Sequence, residues 1–144
     1  MAPVKRILLA LDLLSPPEQW APWVKSLARG HDAAVLVLAV APDMTALSNF
    51  YPPHARFQEK VVCRTESQLK ALVDEHLRDM PEVETLVLIG REAGLILEAA
   101  RQKQVDLIIL GVRRRRGLDR LLYGCSVQEV VKKAPCPVLI MGPG

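Results

Sequence analysis

Aromatic side chains are scarce in this chain: Phe, Trp and Tyr together make up 4% of 144 residues. Half of the residues are nevertheless hydrophobic, so any core must be aliphatic. A core of Leu, Val, Ile and Ala suits a parallel sheet buried on both faces. Cysteine is also sparse, with Cys63, Cys125 and Cys136 only. An odd number without CxxC or zinc spacing argues against a disulfide framework and a structural zinc site. The three read as reduced thiols of a cytoplasmic protein, Cys63 and Cys136 as packing residues. Long apolar runs are missing as well, and none approaches the roughly 18–20 residues of a membrane span. Lys5, Arg6 and Asp12 flank a run of only five apolar residues, which is no signal-peptide pattern. Charge of one sign is not in large excess: 19 basic against 16 acidic residues leave +3. That balance does not by itself call for a nucleic acid. His31, His54 and His76 are scattered, without the i,i+4 spacing of a metal pair. No spacing supports a Ser-His-Asp or Cys-His arrangement, so no catalytic residue and no metal ligand is assigned.

What the chain does contain is alternation. Ile7 to Leu11 predicts a first strand, ending at Asp12. Ser15 and Glu18, three apart, resemble a capping box, and proline suits a first helical turn. Trp20, Trp23, Leu27 and Ala28 recur at helical spacing and read as helix packing. Pro22 is awkward there, so the helix either kinks or starts near it; Gly30 closes it. Ala33 to Val40 is a second, continuously apolar strand, and 41–51 reads as a loop. Phe57, Val61, Leu69, Leu72, Val73, Leu77 and Met80 predict a helix over about 55–80. Val83 to Ile89, Val105 to Leu110 and Val138 to Met141 are further strands. Glu92 to Gln102 and Ser126 to Lys133 are the helices between them. Pro137 argues that the last strand lies at an edge. This order predicts a single α/β domain over 1–144: an open parallel five-stranded sheet with helices on both faces.

The most specific stretch runs from Val105 to Met141. A buried-looking strand ends at Gly111, a loop rich in glycine and arginine follows, and a helix opens near Cys125. Strand, glycine loop and helix start is an arrangement that binds phosphate, through free backbone N–H groups and the helix dipole. In an open parallel sheet, ligands settle in the crevice at the carboxyl ends of the strands. Asp12, Val40 and Gly111 all stand at such ends. Each also has a plainer reading: a carboxylate capping a turn, or glycines that merely turn the chain. The block Arg113 to Arg116 reads either as a solvated loop or as a phosphate contact.

At this point the chain resembles the universal stress protein family over essentially its whole length. The resemblance rests on KRILLALD, VDLIILG, RGLDRLLYG and APCPVLIM. It implies a Rossmann-like fold of the adenine nucleotide alpha hydrolase type. Nucleotide-binding members carry G-x-x-G-x9-G-[ST]. Gly111 and Gly124 match that frame, whereas Arg114 replaces a glycine and Cys125 replaces the Ser or Thr. The resemblance further implies that Asp12 lies near the ribose and that the Val40 backbone meets adenine. After the first strand the family often has Asp-Gly-Ser, where this chain has Asp12, Leu13, Leu14 and Ser15.

These departures have physical weight. A residue other than glycine in a left-handed conformation costs roughly 1–2 kcal/mol, and a long side chain obstructs phosphate. A thiol donates more weakly than a hydroxyl. Arg113 and Arg114 act in the other direction, with forked donors suited to phosphate oxygens. Ser126 offers a substitute hydroxyl. The expectation is a stress-response protein that binds ATP or AMP, with or without magnesium, as a regulatory ligand of altered affinity. At most slow ATP hydrolysis is expected. The resemblance also implies a homodimer through Val138 to Met141. Two alternatives stay open: a nucleotide-free interaction module of the same family, and polyanion binding through the arginine block, which the mild net charge disfavours.

Overall fold

Nine apolar or amphipathic segments alternate along the chain, and each forms the element its periodicity favours. The computed structural model describes residues 3–13, 15–44, 54–111 and 125–142. The elements are β1 (Arg6–Ala10), α1 (Pro17–His31), β2 (Ala34–Ala41), α2 (His54–His76), β3 (Val83–Ile89), α3 (Glu92–Gln102), β4 (Leu107–Gly111), α4 (Cys125–Lys133) and β5 (Val138–Met141). The strands pair in the order β3-β2-β1-β4-β5, and every pairing is parallel. This is the five-stranded α/β architecture that the alternation predicts, with β5 at an edge.

Strand residues alternate between two apolar layers. Ile7, Leu9, Val35, Val37 and Ile109 pack with Trp20, Val24, Leu69 and Val73 of α1 and α2. Leu8, Leu36, Leu38, Ile108 and Leu110 pack with Ile96, Leu97 and Val130 of α3 and α4. Ile7, Leu8 and Leu9 have no exposed surface, as expected of a central strand covered on both faces. Polar ties brace the opposite, amino-terminal edge. The Asp106 carboxylate accepts the backbone N–H groups of Lys5 and Arg6 at 2.8 and 3.0 Å. Asp79, just beyond α2, pairs with Lys25 and Arg29 of α1.

Several local expectations are corrected. The capping box at Ser15 does not form: Pro16 is the N-cap, without a side-chain hydrogen bond, and the Ser15 amide donates to the Asp12 carbonyl at 2.9 Å. The helix starts at Pro17 and runs through Pro22. Pro22 is exposed and sits one turn in, where the bond it forgoes is to Glu18 in the first turn. Gly30 does not close α1. Asp32 does, in a left-handed conformation (φ 52°, ψ 47°) that a short polar side chain tolerates. Trp20 is buried, but Trp23 is 60% exposed and does not pack. Cys63 is exposed rather than packed. Cys136 does pack, against the α3/α4 layer. Burial, followed by the charge of Asp106, pushes its thiol pKa up, which keeps it protonated and unreactive. Helix α2 ends at His76; Leu77 and Met80 stay buried in the turn beyond it, so their apolar character reflects the core and not a longer helix.

The two-sided burial of the central strands carries a stability expectation. Ile109→Ala, at a position with no exposed surface, should cost about 2–5 kcal/mol in urea unfolding. Ile89→Ala, at an outer-strand position 41% exposed, should cost clearly less. Equal losses would contradict the layer assignment.

Candidate functional site

The carboxyl edge of the sheet is assembled by register. Ala10 lies opposite both Leu38 of β2 and Leu110 of β4. The Leu11 amide donates to the Leu38 carbonyl at 2.8 Å, extending that pairing one step beyond β1. Asp12 therefore arrives at the level of Val40. Strand alternation places it on the α3 side, with Leu8 and Ala10. Chain direction across the sheet reverses between β1 and β4. Helices from the two halves leave in opposite directions there and open a crevice.

A cleft of about 540 Å³ occupies this edge. Asp12, Val40 and Pro42 line it from the strand ends, Arg64 and Thr65 from α2, and Glu92 from the start of α3. Its rim is tied down. The Gln58 side chain accepts the Met44 amide at 2.6 Å and donates to the Pro42 carbonyl at 3.0 Å. The Thr65 hydroxyl donates back to Val61 at 2.8 Å, within its own helix. Gly90 turns the chain from β3 into α3 at φ +139°, a conformation that side chains rarely adopt, and so brings Glu92 to the cleft.

Glu92 is the electrostatically unusual group. A carboxylate in the first turn of a helix is ordinarily favoured by the dipole. Here desolvation, and then the negative charge of Asp12, push its pKa above the usual carboxylate range. The residue as a whole keeps an exposed surface, so the effect is moderated by solvent. The neighbouring Arg91 guanidinium is engaged by Glu129 of α4. The Arg91 hydrogen bond holds Glu129 below its ordinary value. Lys133 reinforces this at 3.3 Å. The start of α3 is thus clamped to α4.

A smaller recess adjoins the cleft at the β1/β4 junction. Asp12, Ser15, Trp20, Gly111 and Met141 line it. Among the described residues, a Cβ added at Gly111 would meet nothing within 4 Å. The Trp20 indole N–H is buried, with no hydrogen-bond partner among the described residues. Helix α4 begins nearby in the chain, and its first turn carries no acidic residue to oppose an anion.

Asp12, Val40 and Gly111 thus stand together at one edge, while Ser126 is half-buried in the first turn of α4. Arg113, Arg114 and Gly124, and the Cys125 side chain, lie outside the described residues. Sequence reading missed Glu92, Arg64 and Pro42. The available signal was Gly90, an isolated glycine between a predicted strand and helix. Among the described residues, no group of three His, Cys, Asp or Glu is placed to hold a metal ion.

Known proteins match this architecture. The sequence profile of the universal stress protein family matches residues 3–142. The chain belongs to the universal stress protein family. A universal stress protein of Thermus aquaticus is 34% identical over 141 residues, covering 95% of this chain and 98% of the relative. UspA of Lactobacillus plantarum superposes with a TM-score of 0.75 at 23% identity, over 98% of this chain and 99% of its own. A universal stress protein of Archaeoglobus fulgidus, solved in complex with dAMP, gives 0.66 at 19% identity, over 97% and 99%.

In this universal stress protein, the Asp12–Glu92 pair makes a prediction of its own. Because its folded pKa is raised, Glu92 favours the fold when protonated, and that contribution is lost as pH rises through the folded pKa. Glu92→Gln should therefore be more stable than wild type at neutral pH, by under about 1 kcal/mol given solvent screening. The gain should vanish near pH 3, well below the ordinary carboxylate value of about 4.3, where the group is protonated in both folded and unfolded chains. Thermal melts at the two pH values test this; a gain that persists in acid would contradict it.

Proposed function

We propose that this universal stress protein binds an adenine nucleotide, ATP or AMP, as a regulatory ligand at the carboxyl edge of its sheet. The observation that carries the reading is the convergence of Asp12, Val40 and Gly111 on the β1/β4 switch point, beside a cleft of nucleoside size. Membership of a family with a dAMP-bound member supports it. Asp12 and Val40 would take the nucleoside. Gly111, Gly124, Cys125 and Ser126 would present backbone donors to the phosphates, with magnesium as an optional counter-ion. Arg113 and Arg114 would supply charge where the family motif supplies a glycine. Such binding needs no hydrolysis, and at most slow turnover is expected. A cytoplasmic setting accords with the absence, among the described residues, of a helix long and apolar enough to cross a membrane.

The altered loop is directly testable. Arg114→Gly gives up one charge but restores the glycine of the family motif; if that position needs a left-handed turn, relief of the roughly 1–2 kcal/mol this costs a side chain should outweigh the lost charge and raise ATP affinity up to about tenfold. Isothermal titration of both proteins measures this. Unchanged affinity would mean that Arg114 does not obstruct a phosphate loop.

We further propose a homodimer paired through β5, whatever the ligand. This strand has a neighbour on one side only. The Ile108 amide donates to the Pro137 carbonyl, so strand alternation turns the Leu139 and Met141 amides toward β4 and the Val138 and Ile140 amides outward. Exposed amides on an apolar edge are a template for a second strand. Trp23 and Val131, 60% and 50% exposed, add apolar surface on α1 and α4. This surface is also what favours the second reading, an interaction module acting without nucleotide. Ile140→Pro removes an outward amide while sparing the β4 ladder. It should convert a dimer to a monomer in size-exclusion chromatography with light scattering, and an unaltered dimer would exclude β5 pairing.

A further inference from the structure

The recess at the β1/β4 junction is bordered by a polar group that the nucleotide reading does not use. Trp20 is 1% exposed and meets the recess from α1. Its indole N–H is buried, with no hydrogen-bond partner among the described residues. Buried polar groups are nearly always paired, with protein or with ordered water. The His76 imidazole meets the indole in a T-shaped contact, with centroids 6.0 Å apart and planes at 74°. The larger cleft is not lined by Trp20, so the recess is the neighbouring space that can supply an acceptor.

The recess also restricts what that acceptor is. It measures about 10 Å³, the room of a single water, for which roughly 10–15 Å³ suffices. Asp12, Ser15 and Gln19 are the other polar residues of its lining. A carboxylate accepts an O–H and repels an anionic oxygen, whereas a hydroxyl donates or accepts. The oxygen that fits accepts from the indole and donates to another neighbour. Water does both; a phosphate oxygen does not. The surrounding groups are held in place. The Ser15 amide donates to the Asp12 carbonyl at 2.9 Å, and the Gln19 side-chain amide donates to the Gly142 carbonyl beyond β5. Leu11 and Asp12 line both the recess and the cleft, so the two spaces share one wall.

We infer that the recess is a hydration site: one long-lived water accepts the Trp20 N–H and ties α1 to the Asp12–Ser15 turn. Trp20 is thereby a positioning residue for Asp12, acting through that water on the wall of the cleft. The hydration site stands by itself. The positioning role rests on the nucleotide reading of the cleft.

The full chain carries two tryptophans, so Trp23→Phe leaves the Trp20 indole as the single signal. In the ¹⁵N-labelled Trp23→Phe protein without ligand, the indole proton should exchange slowly with solvent and show a dipolar cross-peak to a bound water. A protected indole proton without that cross-peak would overturn the hydration site. Replacing tryptophan by 3-benzothienylalanine in the same protein keeps the shape of residue 20 and removes its N–H. The melting temperature should then fall by about 2–4 °C, the scale of one hydrogen bond in a chain of this size. An N–H without a partner would give the opposite sign, since its removal relieves a buried polar group; a rise in melting temperature would therefore also overturn the site. Calorimetric titration with AMP tests the second part: the analogue should bind about threefold or more weakly than the Trp23→Phe protein. Equal AMP affinity beside an intact water signal would overturn the positioning role and leave the hydration site. Failure of AMP to bind either protein would remove the nucleotide reading and the positioning role together, while the water signal still decides the hydration site.

Discussion

The parallel pairing of β1 with both β2 and β4 is the constraint on which the functional edge depends. Ile7 to Ala10 take a partner on each side in one continuous register. From β1 the chain moves outward through β2 and β3, then crosses back to add β4 and β5 on the other side. Right-handed crossovers place α1 and α2 on one face and α3 and α4 on the other. At the point of reversal the connections of the two halves run in opposite directions, which opens a crevice outside the strand ends. Asp12 and Gly111 are brought to one recess there although they stand 99 positions apart in the chain. Stability and site share this origin: the apolar rows that bury Ile7, Leu8, Leu9 and Ile109 also set the level at which Asp12 and Val40 emerge.

Charge is distributed along this edge in a way that gives it direction. The end nearest β1, β2 and α3 carries Asp12 and Glu92, with Glu92 held above its ordinary pKa by burial and by its neighbour. The α4 end has a helix start free of acidic residues, preceded in the chain by Arg113 to Arg116. Arg91 adds a mechanical link, since its bond to Glu129 ties the start of α3 to α4, which leads directly into β5.

Much of this architecture is legible in the sequence. Continuous apolar runs such as Val35 to Ala39 announce strands buried on both faces, and strand-helix alternation leaves few topologies open. Asp12, Val40 and Gly111 could be placed because strand ends are visible in sequence. Helix ends were less legible. Asp32 closes α1 in place of Gly30, and Leu77 and Met80 extend the apolar pattern past the end of α2, because tertiary burial and helical period give the same signature there. Glu92 was illegible as a site residue. Its importance comes from proximity to Asp12, 80 residues away (92 less 12), and no local pattern encodes that proximity. Trp23 was misjudged for a related reason: it shares the helical spacing of Trp20, but lies on the outward side of α1.

The central claim is that this universal stress protein uses its switch-point cleft for an adenine nucleotide despite Arg114 and Cys125. The most direct measurement is to purify the protein without added nucleotide, denature it, and identify what is released by chromatography and mass spectrometry. ATP, ADP or AMP is expected in the released fraction, or, where the ligand has washed out, a rise in melting temperature when ATP and magnesium are restored. No released nucleotide together with no thermal shift would contradict it, and the exposed surface around β5 would then be the functional face.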